Sequence, residues 1–435
     1  MTDPWLGAVE GYYGPPLQVA ERLDLVRWLG AHGFNAYAYA PKDDPFHRQR
    51  WREPYPDDRQ ARFADLLATG TEAGVDVALV VSPGLDWSPG DEEHLLRKLE
   101  SFAGLGATTL GVAFDDVPPG GAGLGSTHAN AVRFAADRLD PGVRWVTCPT
   151  DYATGRVTEY LRAYHDGLPE GAEAMWTGPS IVSPKLDGGL ARSLGEELGR
   201  PLLIAENYPV NDGAMGGVLH LGPYRGRSPD LPASTSGVFF NFMSLPRASR
   251  PALAAGARFW QDPAGDPQTV WRECLAEFPG LEPLARASRT WANDPAPDAE
   301  IAGLVRGAID GNPDPLRAFL VAGCRAGLAP ELAAEVEPWL EQWDAESLAM
   351  QFALMLLTAP PEEGAGGAFA VAEAWARARA SRLQLFGTRW AHYPVTAHDG
   401  RRMVPLAEGL MLGSNLTDEL VTAALERASQ GAAPS

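Results

Sequence analysis

What most restricts the fold of this chain is a pattern repeated from its start to Trp260. A short apolar run ends in a breaker or a polar cluster, and a stretch with apolar residues at helical spacing follows. Runs this short, bounded by Gly, Pro or Asp, read as strands buried on both faces. Strands of that kind alternating with helices build a parallel sheet. The pattern predicts strands at 7–10, 35–40, 75–82, 110–114, 143–148, 174–176, 201–205 and 237–241. Helices are predicted at 17–33, 58–74, 91–104, 128–139, 155–165 and 190–198, with a last one ending near Trp260. Such units predict an α/β chain folded as a (β/α)8 TIM-type barrel over residues 1–262. A Gly- and Pro-rich connection at 207–236 joins the last two strands, and loops of that length inside a compact domain usually carry function.

After a Pro/Gly linker at 262–267 the strand pattern stops. Helical stretches at 269–277, 299–309, 314–326, 329–340, 346–357, 368–386 and 417–428 predict an all-α bundle over 263–435. Its Ala-rich faces suit core packing. A homodimer interface or a wall for the site are the other uses open to it.

Within the barrel the most informative stretch is 109–119. The apolar run from Leu110 to Phe114 ends in two adjacent carboxylates, Asp115 and Asp116, and the prolines and glycines of 118–125 are expected to stop regular structure. Neighbouring side chains on a strand point to opposite faces, but at the strand end that restriction relaxes and both can enter one pocket. Two carboxylates there should repel, raising one pKa, which is what a general acid near neutral pH requires. A turn or helix cap is the competing reading. In this fold the carboxyl ends of the strands carry the active site. Further polar and aromatic clusters fall at those ends: Glu10-Gly11-Tyr12-Tyr13-Gly14, Lys42-Asp43-Asp44, Asp86, Tyr152, Trp176, Asn207 and Asn241. A surface turn also explains 40–45 and 207–212. Lys42 could donate to a hydroxyl, with Asp43 and Asp44 orienting it and shaping the loop, and His47, Arg48, Trp51 and Arg52 bracing it. Asp212 offers a two-point acceptor, and Asn207 both donors and acceptors, which suits neighbouring sugar hydroxyls. Tyr12, Tyr13, Trp87, Tyr152 and Trp176 serve either as packing or as platforms for a sugar ring.

Composition removes other classes. Lys and Arg number 36 against 56 Asp and Glu, a net charge of −20, which disfavours nucleic acid and anionic membranes as partners. The eight histidines lie scattered and the three cysteines lack metal spacing, so neither a metal nor any other cofactor is expected. No basic n-region or long apolar run is visible, so a cytoplasmic location with reduced thiols is expected.

Six ordered motifs carry a family resemblance. They are Val9-Glu10-Gly11-Tyr12-Tyr13-Gly14, Tyr39-Ala40-Pro41-Lys42-Asp43-Asp44, Ser82-Pro83-Gly84-Leu85-Asp86, Phe114-Asp115-Asp116, Cys148-Pro149-Thr150-Asp151-Tyr152 and Trp176-Thr177-Gly178-Pro179. Over residues 5–262 the chain resembles the O-GlcNAcase/hyaluronidase family of β-N-acetylglucosaminidases, glycoside hydrolase family 84. The resemblance implies a retaining exo-glycosidase whose substrate supplies its own nucleophile, the 2-acetamido oxygen, an exception to the two-carboxylate scheme. It implies that Asp115, ionised, accepts the acetamido N–H and that Asp116 is the general acid and then the base. It also implies sugar contacts from the Gly11 carbonyl, Lys42, Trp176 and Asn241, with Tyr152 and Asn207 around the acetamido group and Asp212 accepting from the 4- and 6-hydroxyls. Terminal β-linked GlcNAc on a glycoconjugate or glycoprotein is the implied substrate. A non-catalytic glycan-binding module and a hyaluronidase-type polysaccharide hydrolase are the alternatives.

The chain departs from the family pattern at Ala205, where Trp is common, and at Glu206, Gly213 and Phe242. These changes cluster around strands seven and eight. They predict a looser acetamido pocket that accepts acyl groups larger than acetyl.

Overall fold

The eight expected strands close on one another in sequence order, every neighbour parallel, and the last pairs with the first. The computed structural model describes residues 4–288, 297–360, 364–381, 383–387, 394–397, 402–405 and 415–431. The strands are β1 (Trp5–Glu10), β2 (Ala36–Tyr39), β3 (Asp76–Val81), β4 (Thr109–Ala113), β5 (Arg144–Cys148), β6 (Glu173–Trp176), β7 (Leu203–Glu206) and β8 (Gly237–Asn241). Between and after them run α1 (Val19–Ala31), α2 (Asp57–Ala73), α3 (Glu92–Gly104), α4 (Ala122–Ala136), α5 (Glu159–Gly167), α6 (Gly188–Leu198) and α7 (Pro246–Gln261).

Strand alternation sorts the side chains into two cores. Leu6, Ala8, Tyr37, Leu79, Leu110, Val112 and Ile204 face the helices. Val9, Ala36, Ala38, Ala78, Val80, Ala113 and Leu203 fill the barrel with Trp5 and Phe239. Four of these interior residues are alanines, which leaves room for the two large rings. A Cβ on Gly7 would lie 2.6 Å from the Phe239 ring, so glycine is required there.

One expectation fails at the fourth helix. The glycines after Pro119 were expected to form a loop, with the helix starting at 128. Instead α4 begins at Ala122. Its Gly125 serves a close approach: a Cβ there would lie 2.3 Å from Tyr160 O on α5.

Beyond the barrel follow α8 (Pro267–Leu275), α9 (Glu282–Ala287), α10 (Ala299–Ile309), α11 (Asp314–Ala322), α12 (Pro330–Thr358), α13 (Gly364–Ala380) and α14 (Leu416–Gly431). The two helices expected at 329–340 and 346–357 are one helix of 29 residues, because the residues between them contain no breaker. The short α9 was not expected. Nor was the antiparallel pair β9 (Pro394–Ala397) and β10 (Arg402–Pro405). The helices share a core of their own, which also takes in Leu219, Leu221, Met243 and Ala248 from the barrel side. The long connection after β7 is thus packed between barrel and helices. Among the described residues no helix is long and apolar enough to cross a membrane.

Candidate active site at the barrel mouth

β4 ends at Ala113, and Phe114 N still donates to Cys148 O at 2.8 Å, holding the strand end against β5. The chain then turns sharply. Asp116 has φ of 60°, a left-handed conformation that non-glycine residues rarely adopt and that costs about 1–3 kcal/mol. Such strain persists only where the surroundings hold it, and here both carboxylates are held.

Asp115 is buried and its Oδ2 accepts from Lys42 Nζ, the lysine that follows β2. Burial by itself would raise the carboxyl's pKa. The Lys42 ammonium, with smaller help from Arg48 and His47, outweighs it and holds Asp115 below the usual carboxylate value. Asp115 is therefore an anion at neutral pH. Its other oxygen, Oδ1, is buried with no protein partner. An anionic oxygen in that state is a ready acceptor for an N–H from a ligand.

Asp116 Oδ2 accepts from the Tyr13 hydroxyl and from Arg48 Nη2 at 3.1 Å, while Arg48 Nη1 donates to the Tyr13 oxygen at 2.9 Å. Tyr13 also links the acids to the long connection, because its backbone N–H donates to Asp212 Oδ2 at 2.7 Å. Burial, with a smaller push from the Asp116 charge, raises the pKa of Asp212; the Tyr13 N–H and the Lys42 ammonium oppose it. Asn241 Nδ2 donates to Asn207 Oδ1 at 3.0 Å, and Asn207 Nδ2 donates to Ile181 O at 2.8 Å. Asn241 Oδ1 is a second buried acceptor without a protein partner. Gly11 lies against it, since a Cβ there would come within 3.3 Å of that oxygen.

On the Asp116 side a cleft of about 330 Å³ opens, lined by Asp116, Val117, Thr150, Tyr152, Thr154 and Ile181. Tyr152 faces it, and burial with the charges of Asp115 and Asp116 keeps the Tyr152 hydroxyl protonated. Trp176 is placed differently. It is 2% exposed, and its indole N–H donates to Thr154 O at 2.8 Å, so it supports the segment after β5 from within the core.

Several residues take roles that sequence reasoning missed. Arg48 and Tyr13 clamp Asp116, yet Arg48 is 68 residues from it. Of the two tasks expected of Asp44, the contacts show the shaping of the loop: it accepts from the Tyr39 and Tyr55 hydroxyls, Phe46 N and Arg59 Nη1. Glu206 makes a buried two-point pair with Arg227, at 2.6 and 2.8 Å, and accepts from the Tyr224 hydroxyl. It therefore anchors the long connection. Phe242 is fully buried and meets the Tyr12 ring edge-on. Among the described residues no group of His, Cys, Asp and Glu could hold a metal ion.

Comparison with known proteins gives the context. A family model described as beta-N-acetylglucosaminidase matches residues 6–293, a span that includes the whole network from Gly11 to Asn241. The chain belongs to the β-N-acetylglucosaminidases of glycoside hydrolase family 84. Family 84 relatives include the protein O-GlcNAcases of Rattus norvegicus and Mus musculus. Each is 31% identical over 252 residues, which is 54% of this chain and 27% of theirs. The chain thus matches only about a quarter of the length of those relatives. A mutant O-GlcNAc hydrolase from Thermobaculum terrenum shares the fold, with a TM-score of 0.83 at 24% identity over 97% of this chain and 94% of that one. Family 84 enzymes are glycoside hydrolases, and the TIM-type barrel with trailing helices is the architecture they share with this chain.

Proposed function

We propose that this chain is a retaining exo-β-N-acetylglucosaminidase that uses the substrate's own 2-acetamido group as nucleophile. Asp115, anionic and held by Lys42, accepts the acetamido N–H through its free Oδ1. That contact turns the acetamido oxygen toward the anomeric carbon and stabilises the charge that develops on the amide as the oxazoline ring closes. Asp116 gives its proton to the leaving oxygen as the C1–O bond breaks. It then takes a proton from water, which attacks C1 on the same face and reopens the ring, so configuration is retained. The cleft beside Asp116 receives the leaving group. Lys42, Asp212, Asn241 and the Gly11 carbonyl hold the sugar hydroxyls, with Tyr152 and Asn207 beside the acetamido group; Trp176 supports the segment after β5 from the core.

One observation carries this reading: a buried aspartate, kept ionised by a lysine, presents an unpartnered oxygen next to a second carboxylate. The substrate is terminal β-linked GlcNAc, including GlcNAc on protein Ser or Thr, in keeping with relatives named protein O-GlcNAcase. A cytoplasmic location, compatible with three free cysteines, completes the proposal. So does a homodimer through the helical region, where Leu348 and Met355 stand exposed on α12; sedimentation tests it.

The test compares two variants on aryl glucosaminides. Asp116→Asn should lose about 10²–10⁴ in kcat on poor leaving groups and much less on activated ones. Asp115→Asn should lose about 10²–10³ on both, since ring closure is impaired whatever leaves. Near-normal turnover by Asp115→Asn on an activated substrate would overturn the assignment.

A further inference from the structure

The helical region holds the connection after β7 at the Gly217 carbonyl. Gly217 O, in the connection after β7, accepts from Trp339 Nε1 of α12 at 3.2 Å and from Gln384 N at 2.8 Å. The next residue, Val218, pairs with Gln384 as a parallel bridge. Val218 O in turn accepts from Asn211 Nδ2 at 3.1 Å, Val218 N donates to Met215 O, and Met215 N donates to Asp212 O. Residues 211–218 thus form a closed turn. At one end the helices hold its base; at the other Asp212 Oδ2 takes the Tyr13 N–H. Further along, Trp271 Nε1 of α8 donates to Leu221 O at 2.6 Å and pins the same segment again.

The turn needs such support. It contains Gly213, Gly216 and Gly217, and glycine loses more conformational freedom on ordering than any other residue. Left unanchored, this turn would have to order whenever a sugar bound, at the expense of affinity. Trp339 is buried in the helical core, so its indole N–H transmits the position of α12 to the turn.

We infer that Trp339 is a positioning residue for Asp212: from outside the barrel, its indole N–H fixes the carboxylate where the sugar's 4- and 6-hydroxyls bind. This rests on the sugar-binding role proposed above for Asp212. It gives the helical region a part in sugar recognition, exerted through Gly217.

Trp339→Phe keeps the ring bulk and removes the N–H. It is compared with Asp212→Asn on an aryl N-acetylglucosaminide and on its 4-deoxy and 6-deoxy analogues. For Trp339→Phe, KM on the parent sugar should rise roughly three- to ten-fold, the range expected for losing one hydrogen bond, with kcat less affected. The penalty should shrink on the analogue whose missing hydroxyl also relieves Asp212→Asn. An equal loss on all three substrates, or no loss on the parent, overturns the inference. If Asp212→Asn is itself blind to both deletions, the sugar role of Asp212 falls, and amide hydrogen exchange judges the brace by itself. Trp339→Phe should then speed exchange at Tyr13 and over 213–218 while the barrel strands keep their protection; unchanged protection at those amides overturns it.

Discussion

Lys42 donates to one oxygen of Asp115 and leaves the other buried and without a protein partner. The lysine follows β2 and the aspartate follows β4, so the pair exists only once β3 lies between those strands. Removing one member of a buried pair leaves an uncompensated charge. Lys42→Met should therefore lower stability by about 3–5 kcal/mol, read from denaturant midpoints, and reduce turnover as well.

The same pair fixes a pH dependence. The folded-state pKa of Asp115 is depressed, so unfolding takes up a proton as pH falls. The stabilisation is fully present above the unfolded value of about 3.9 and is lost as pH drops through the lower folded value. Measured unfolding free energies should show this: the difference between wild type and Asp115→Asn should be flat from pH 7 to pH 5 and should narrow only in more acidic solution. A difference that narrowed toward alkaline pH instead would contradict the depressed value.

Glu206 and Arg227 anchor the long connection through a pair almost wholly removed from water. Arg227→Met alone should cost about 3–5 kcal/mol, because it strands the carboxylate. The double variant Glu206→Leu/Arg227→Met should recover most of that loss, as apolar replacements of buried pairs often do. Chemical denaturation of the single and double variants checks both statements.

Gly125 allows α4 and α5 to meet at the Tyr160 carbonyl. Gly125→Ala should destabilise by about 1–3 kcal/mol, the usual cost of overpacking, although alanine is the better helix former. A stabilised variant would show that the helices separate freely at that point.

Ala205 occupies a half-buried strand position on β7. In a tight pocket one extra methylene costs about 10–200-fold in kcat/KM. The looser pocket expected of this chain should keep the N-propanoyl glucosaminide within about ten-fold of the N-acetyl one. A steeper drop would mean that other side chains fill the space.

How much of this was legible in the sequence depended on the range of the interaction. The strands were readable because each is a local apolar run between breakers, as in the stretch from Leu110 to Asp115. The α4 start was not, because a glycine that breaks a helix and one that admits a neighbouring helix look alike until Tyr160 is in place. Asp115, Lys42 and Asp212 could be named from motifs, and the network does bring them together. The Arg48 clamp on Asp116 and the Glu206–Arg227 anchor could not, since each joins residues far apart in sequence with no spacing rule between them. Residue type leaves Trp176 open between packing and a sugar platform, and only the folded structure shows it in the core.

The central claim is that the substrate's amide oxygen, steered by Asp115, attacks the anomeric carbon. Replacing the N-acetyl group of an aryl glucosaminide by mono-, di- and trifluoroacetyl drains that oxygen of nucleophilicity with little change in size. Measured kcat/KM should fall steeply with each fluorine added. A flat series would mean that an enzyme group performs the attack and that Asp115 does not steer the amide.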